Sequence, residues 1–84
     1  MGKDTAALDK AIAALDLNDR KAPPGSLWRH LKSGGRYMVH GHVILEATLE
    51  PAVIYSSSLA GTPWCRSAEE FFDGRFECID DRHG

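Results

Sequence analysis

The sequence has little cysteine: its 84 residues include only Cys65 and Cys78, thirteen positions apart. The two thiols form no CxxC pair and no cluster with the spacing of metal ligands, so no zinc site is indicated. Because isolated cysteines are typical of proteins in a reducing compartment, we expect two free, half-buried thiols. A Cys65–Cys78 disulfide is the alternative.

Long apolar runs are also missing. No stretch approaches the roughly 20 apolar residues that a membrane-spanning helix needs, and the first ten residues lack the apolar core of a signal peptide. The Met-Gly start departs from the myristoylation pattern because Ala6 stands where Ser or Thr is required. We therefore expect a soluble, cytoplasmic protein without a membrane partner.

The chain has no excess of positive charge. Ten Lys and Arg against twelve Asp and Glu give a net charge of −2. A general nucleic-acid coat needs a basic excess to displace counterions, so that class is disfavoured, while a local basic patch stays open. A single domain of this length buries only about 60–65% of its unfolded surface, so a bound ligand or a second copy would add stability.

What is present begins with a helix, predicted over residues 4–17 and capped by Asp4 or Thr5. We expect its apolar stripe to pack on the parent domain, with a second copy of the chain as the alternative, because so short a helix is marginal alone. Asn18–Ser26, which contains two prolines and a glycine, is predicted to be a linker. The stripe has four members: Leu8, Ala11, Ile12 and Leu15.

The first predicted strand begins at Trp28, where the pattern changes to the period of two that is typical of strands. A long strand begins at Tyr37 and is expected to bend at Gly41. Ser67 and Glu70 are spaced as a capping box for one helical turn, and Asp73-Gly74 turns the chain. Three further strands are predicted at 52–56, 63–66 and 75–79. Five short strands favour a mainly β fold: a small SH3-like five-stranded barrel over residues 25–80, preceded by one helix within residues 1–20.

Three segments of the chain resemble the small proteins of domain-of-unknown-function family 1653: LWRHLKSGGRYMV, EATLEPAVIYSS and TPWCRSAEEFFDGRF. That family has a YRHYKG-like opening, a TxE…VVY segment and a WVRP…RF close. Trp28 stands for the opening aromatic, and Arg29, His30 and Lys32 match directly.

The middle and final segments extend the resemblance over residues 25–79, and Tyr55 ends the VVY-like step. Trp64 and Arg66 match the WxR step, and Arg75 begins the RF step. Ser67 replaces the usual proline, and the N-terminal helix lies outside the family pattern. The resemblance implies an SH3-like barrel and brings no known activity.

Aromatic and arginine side chains form the candidate ligand site. An aromatic ring beside an arginine can stack a base or ring and hold a phosphate or carboxylate. Arg66, Arg29 and Trp64 are predicted to recognise the anion, and His30 adds a further donor. The alternative is that each Trp is core and that each Arg pairs with Glu50 or Glu69. The full set of candidates is Trp28, Arg29, His30, Tyr55, Trp64, Arg66 and Arg75.

Other groups of residues give weaker indications of a metal, catalytic or phosphate-binding site. His40 and His42 lie two apart on a predicted strand, so both should point the same way, but zinc needs further ligands. No acid is placed to orient Ser56 or Ser58 as a nucleophile, so we expect no enzyme and no cofactor. The Ser33–Gly35 segment could cradle a phosphate, although a hairpin turn is favoured.

Two functions from different classes follow. The first is a binding module for a small anionic or nucleotide-like ligand or a short nucleic acid, with sequestration of that ligand as its suggested role. The second is a structural or protein-interaction module, a homo-oligomer assembled through the N-terminal helix and the barrel. The acidic total favours a compact ligand over a long duplex.

Overall fold

The computed structural model describes residues 5–58 and 60–79, and the predicted cap Asp4 and the predicted frayed tail 80–84 lie outside them. The first element is helix α1, Thr5–Lys21, which runs four residues beyond the predicted end. Asn18–Lys21 are compatible with a helix, and Arg20 bonds to Asp16 one turn earlier at 2.8 Å. The helix therefore ends only where the proline pair stops it.

Helix α1 packs on its own domain through a narrower face than its apolar stripe predicts. Ala11 and Asn18 are buried, whereas Ile12 is 52% exposed. The prediction that Ile12 is buried on the parent domain is therefore wrong. The helix lies against the sheet, with Ala11 only 5% exposed and the neighbouring Ile12 on the solvent side.

The remainder is a five-stranded antiparallel sheet, so the fold is mainly β with an N-terminal helix, as predicted. A short helix, α2 (Ala68–Glu70), follows the fourth strand, and an irregular helical turn, Phe71–Arg75, connects α2 to the last strand. Gly74 in that turn has φ 106°, which glycine adopts without strain. The elements are β1 Leu27–His30, β2 Arg36–Ile44, β3 Pro51–Ser56, β4 Trp64–Ser67, α2 Ala68–Glu70 and β5 Phe76–Cys78.

The sheet is open, with the strand order β4-β3-β2-β1-β5. Within residues 5–58 and 60–79, β4 pairs only with β3, and β5 pairs only with β1. The predicted closure into a barrel is therefore not observed. The connection between the two edge strands carries α2 and the turn Phe71–Arg75, in which Phe71 is fully buried.

The pairing register of β2 shifts next to Gly41, where a bend is expected. Val39 pairs with Tyr55 and Gly41 with Ile54, so His40 is an extra residue, a β-bulge. The bulge exchanges the two faces of the strand, because odd-numbered residues face the core before it and even-numbered residues do so after it.

An aromatic cluster fills the space over the sheet. Phe71 stacks on Phe76 with ring centroids 4.4 Å apart, and Trp28 meets Phe71 edge-on at 5.2 Å. Val39, Val53, Tyr55, Ala68 and Ala22 complete this core. No helix in the described part of the chain has both the length and the apolar character to cross a membrane.

Candidate functional site

Edge strand β4 positions the two most prominent candidate residues. Trp64 pairs with Tyr55 and Arg66 with Val53, and both of those partners belong to the core. Residues opposite each other in a sheet share a face, so Trp64 and Arg66 lie on the same face. Because β4 is at the edge, this face is incompletely covered, and Trp64 is 55% exposed.

Arg66 is held by three neighbours. Its Nε donates to the Tyr55 hydroxyl at 3.2 Å, and its Nη1 lies 3.6 Å from Glu70 Oε1. Its guanidinium carbon lies 5.5 Å from the centre of the Phe76 ring. The side chain is 27% exposed, so one edge of its planar fork still faces the solvent.

Helix α2 places the Glu70 carboxylate next to this arginine. Ser67 Oγ accepts the backbone N–H of Glu70 at 3.3 Å, which confirms Ser67 as the predicted cap. The cap starts the helix directly after β4, so Glu69 and Glu70 project beside the strand. The carboxylate of Glu70 pairs with Arg66, one helical turn away in sequence.

These residues line an open groove of about 770 Å³ along β4. All four residues of the strand contribute to it, so the groove follows the sheet edge rather than one spot on the surface. Its charge is mainly negative, because four carboxylates face one guanidinium. The lining consists of Glu50, Tyr55, Trp64, Cys65, Arg66, Ser67, Glu69, Glu70 and Asp73.

Asp73 and Arg75 form a separate pair at the end of the groove. Arg75 Nε donates to Asp73 Oδ2 at 2.9 Å, and the Arg75 backbone N–H donates to Asp73 Oδ1 at 3.2 Å. The side-chain bond lowers the pKa of Asp73 and raises the pKa of Arg75, and Arg66 contributes a smaller attraction to Asp73. Both groups are exposed, so solvent weakens this pair.

Trp28 lies in the core, where the alternative interpretation placed it. It is 8% exposed, and its Nε1 donates to Ser26 Oγ at 3.0 Å. Phe71 and Phe72 cover its ring at centroid distances of 5.2 and 5.9 Å. No face of this indole remains open for a ligand to stack upon.

Arg29 and His30 are not brought to the groove. Arg29 alternates with core-facing Trp28 on β1, so it lies on the opposite sheet face from Arg66. Its Nη2 is 3.8 Å from Glu77 on the neighbouring strand. His30 packs at 4.9 Å on the Phe76 ring. The expected grouping of Arg29 with Arg66 is therefore not formed, because strand alternation separates the two faces.

The two strand histidines also separate, because the bulge lies between them. His40 Nε2 bonds to Ser56 Oγ at 2.5 Å, whereas His42 Nε2 bonds to the Ala22 carbonyl at 2.7 Å. The prediction that they point the same way is wrong. Ser56 is fully buried and donates its own hydroxyl proton to the Ser58 carbonyl, so its oxygen is the acceptor in the contact with His40.

The Ser33–Gly35 segment is a hairpin turn between β1 and β2, as favoured. The Gly34 N–H bonds to the His30 carbonyl at 2.7 Å, and the Gly35 N–H bonds to Ser33 Oγ at 3.2 Å. The backbone amides of Ser33, Gly34 and Gly35 are therefore all engaged within the turn.

Cys65 is free, as expected, and both thiols are exposed rather than half-buried. Cys65 alternates with Trp64 and Arg66 on edge strand β4, so it lies on the opposite face of the sheet.

Sequence reasoning missed the acidic lining of the groove. It considered Glu50 and Glu69 only as partners of an arginine, and Glu70 only as part of a helix cap. The available signal was the spacing of Arg66, Ser67 and Glu70, because a capped turn directly after a strand returns its carboxylates to that strand.

Comparison of the chain with protein-family models, with curated proteins and with solved structures returned no match. The resemblance to domain-of-unknown-function family 1653 therefore stays a prediction, and the site is interpreted from its own geometry.

Proposed function

We propose that the protein is a non-catalytic binding module whose ligand docks in the groove along β4. One observation carries this proposal: Trp64 is 55% exposed beside a concave surface, while Trp28 and the phenylalanines pack inside. Burying an indole contributes favourably to folding, and a solvated one at a groove is typical of a surface that a partner covers.

The charge of the groove decides what a ligand must do there. An anionic or nucleotide-like ligand would stack on Trp64 and would have to displace Glu70 from Arg66, against the repulsion of the remaining carboxylates. A cationic group would meet complementary charge and the ring face of Trp64. Binding and sequestration of an anionic ligand therefore require that the ligand displace Glu70 from Arg66.

Trp64 fluorescence tests the proposal directly. A panel of nucleotides, short oligonucleotides and charged peptides is titrated into the Trp28→Phe variant, whose only remaining indole is in the groove. Binding should shift the emission of Trp64, and Trp64→Ala should abolish the thermal stabilisation that the same ligand gives the wild-type chain. A ligand that stabilises Trp64→Ala as well as the wild type would place the binding site elsewhere.

Self-assembly through α1 is a second candidate function. Ile12 is 52% exposed and Leu17 56% exposed on this helix, so both apolar side chains are available to a second copy. Sedimentation velocity tests it, because Ile12→Asp should then convert an oligomer into a monomer.

We also propose that the open sheet is of the SH3-like kind. The return of β5 to the side of β1 after a helical turn, and the bulge that bends β2, support this assignment. An experimental structure in which the sheet stays flat and β5 leaves β1 would contradict it.

A further inference from the structure

Strand β4 has one partner and one open side. Within the described residues it pairs with β3 alone, so the backbone groups on its other side have no strand beside them. An uncovered edge is a template for an additional strand, and proteins often use it to bind extended peptides. The groove lies along this same edge, since all four β4 residues line it.

The side chains around the edge of β4 favour a partner with basic side chains. Glu50, Glu69, Glu70 and Asp73 line the groove together with the exposed ring of Trp64. In a strand laid along β4, every second side chain would project on the face of Trp64 and Arg66, toward these carboxylates. Lys or Arg at those positions would gain charge complementarity, and one of them could lie over the indole.

We infer that β4 binds an extended peptide segment that carries Lys or Arg at alternate positions, and that the segment adds to the sheet as a further strand. The inference rests on the proposed function, because it uses the same groove, and it goes beyond it by naming the partner. The four residues of β4 offer about 13 Å of edge at the usual strand rise, which suits a short peptide better than a single small cation.

A second copy of this chain suits the edge poorly. Pairing of two β4 strands would bring the Glu69 and Glu70 carboxylates of one copy near those of the other. Like charges brought together oppose association, and the chain as a whole already carries a net charge of −2. The occupant is therefore a basic segment of another protein.

The probe is a labelled peptide in which Lys alternates with Val, and fluorescence polarisation at low salt measures its affinity for the full chain. A matched peptide with Glu in place of Lys should bind at least about tenfold more weakly, and added salt should weaken the Lys peptide because exposed charges are screened. Equal binding of the two peptides would overturn the inference.

N-methylation distinguishes strand addition from simple charge attraction. Alternate amides of an extended peptide point to opposite edges, so methylation of one alternate set should abolish binding, whereas methylation of the other set should leave it nearly unchanged. Two methylated peptides of equal affinity would show that no strand is added.

Variants of the protein locate the site. Glu69→Lys should weaken the Lys peptide by about tenfold through charge reversal beside β4, and Trp64→Ala by about fivefold through loss of the ring face. Glu46→Lys makes the same charge change at an exposed position outside the groove and should have little effect. Equal losses for Glu69→Lys and Glu46→Lys would contradict the assignment.

Failure of this inference differs from failure of the proposed function. If the Lys peptide does not bind but another ligand shifts Trp64 emission, the groove binds a different partner and only the inference is wrong. If no member of the panel perturbs Trp64, and Trp64→Ala changes no binding, the proposed function is wrong as well.

Discussion

At the residue scale, the two tryptophans have different roles, although an arginine lies within two residues of each in the sequence. Trp28 faces the core and contributes to the aromatic cluster, whereas Trp64 stands at an edge where the sheet ends. Alternation along each strand predicts which neighbours share a face, but it does not say which face is covered. That depends on strand order, which is set by contacts distant in sequence.

The tryptophans should therefore differ in their effect on folding. Trp28→Ala should lower the free energy of unfolding by about 3–5 kcal/mol, because it leaves a cavity beside Phe71 and Phe72. Trp64→Ala should change it by less than about 0.5 kcal/mol, since the ring is mostly solvated. Urea denaturation of both variants measures the difference, and comparable losses would mean that Trp64 is part of the core.

The Asp73–Arg75 pair should make a contribution to folding stability that depends on pH. The folded pKa of Asp73 is lower than its ordinary value of 3.8, so its contribution to stability is fully present above that value. It is lost as the pH falls through the folded pKa. The difference in melting temperature between the wild type and Asp73→Asn should therefore be present at neutral pH and vanish in acid.

The matched control is Asp9→Asn, the same exchange at an exposed position of α1. A difference for Asp73→Asn that persists at low pH would show that the pair with Arg75 is not its cause. The effect should be small at any pH, because both groups are exposed.

At the element scale, the strands follow from the alternating pattern, and the capped turn follows from Ser67 and Glu70. The residue at which α1 ends and the face through which it packs do not follow from the sequence pattern. Asn18–Lys21 are as compatible with helix as with linker, and the choice between Ala11 and Ile12 as the docking residue depends on how closely the sheet approaches. The bulge at His40 was indicated by Gly41, but its exchange of faces beyond Gly41 was not, and the two histidines separated as a result.

The helix face can be tested with two neighbouring substitutions. Ala11→Asp should cost about 2–4 kcal/mol of unfolding free energy because it buries a charge. Ile12→Asp, one position along, should cost less than about 0.5 kcal/mol in a monomer. Chemical denaturation with sedimentation velocity separates folding from assembly. If Ile12→Asp costs as much as Ala11→Asp in a monomer, the helix is rotated relative to the orientation described.

The cap of α2 links the fold to the groove. Ser67→Ala should lower the free energy of unfolding by about 1 kcal/mol, the usual effect of losing a helix cap. Ser57→Ala, at an exposed serine outside the groove, should be nearly neutral. The α2 carboxylates should also lose their fixed position, so Ser67→Ala should weaken any ligand held by Glu69. A neutral Ser67→Ala would mean that α2 is held by packing alone.

At the scale of the whole molecule, the strand order distinguishes an open sheet from the predicted closed barrel. In the order β4-β3-β2-β1-β5, three strands are paired on both sides and two on one side only. Amide hydrogen exchange should therefore be slowest in β1, β2 and β3, where amides are released mainly by global unfolding. The free-side amides of β4 and β5 should exchange by local opening, orders of magnitude faster. A closed barrel has no free edge, so it would protect β4 and β5 as strongly as β2.

The two outcomes are separated by a single exchange experiment, and the same experiment repeated with a saturating Lys peptide reports on the edge itself. Protection gained in β4, with β5 unchanged, is the pattern expected of a strand added beside Trp64. Protection gained equally at both edges would indicate closure of the sheet on itself.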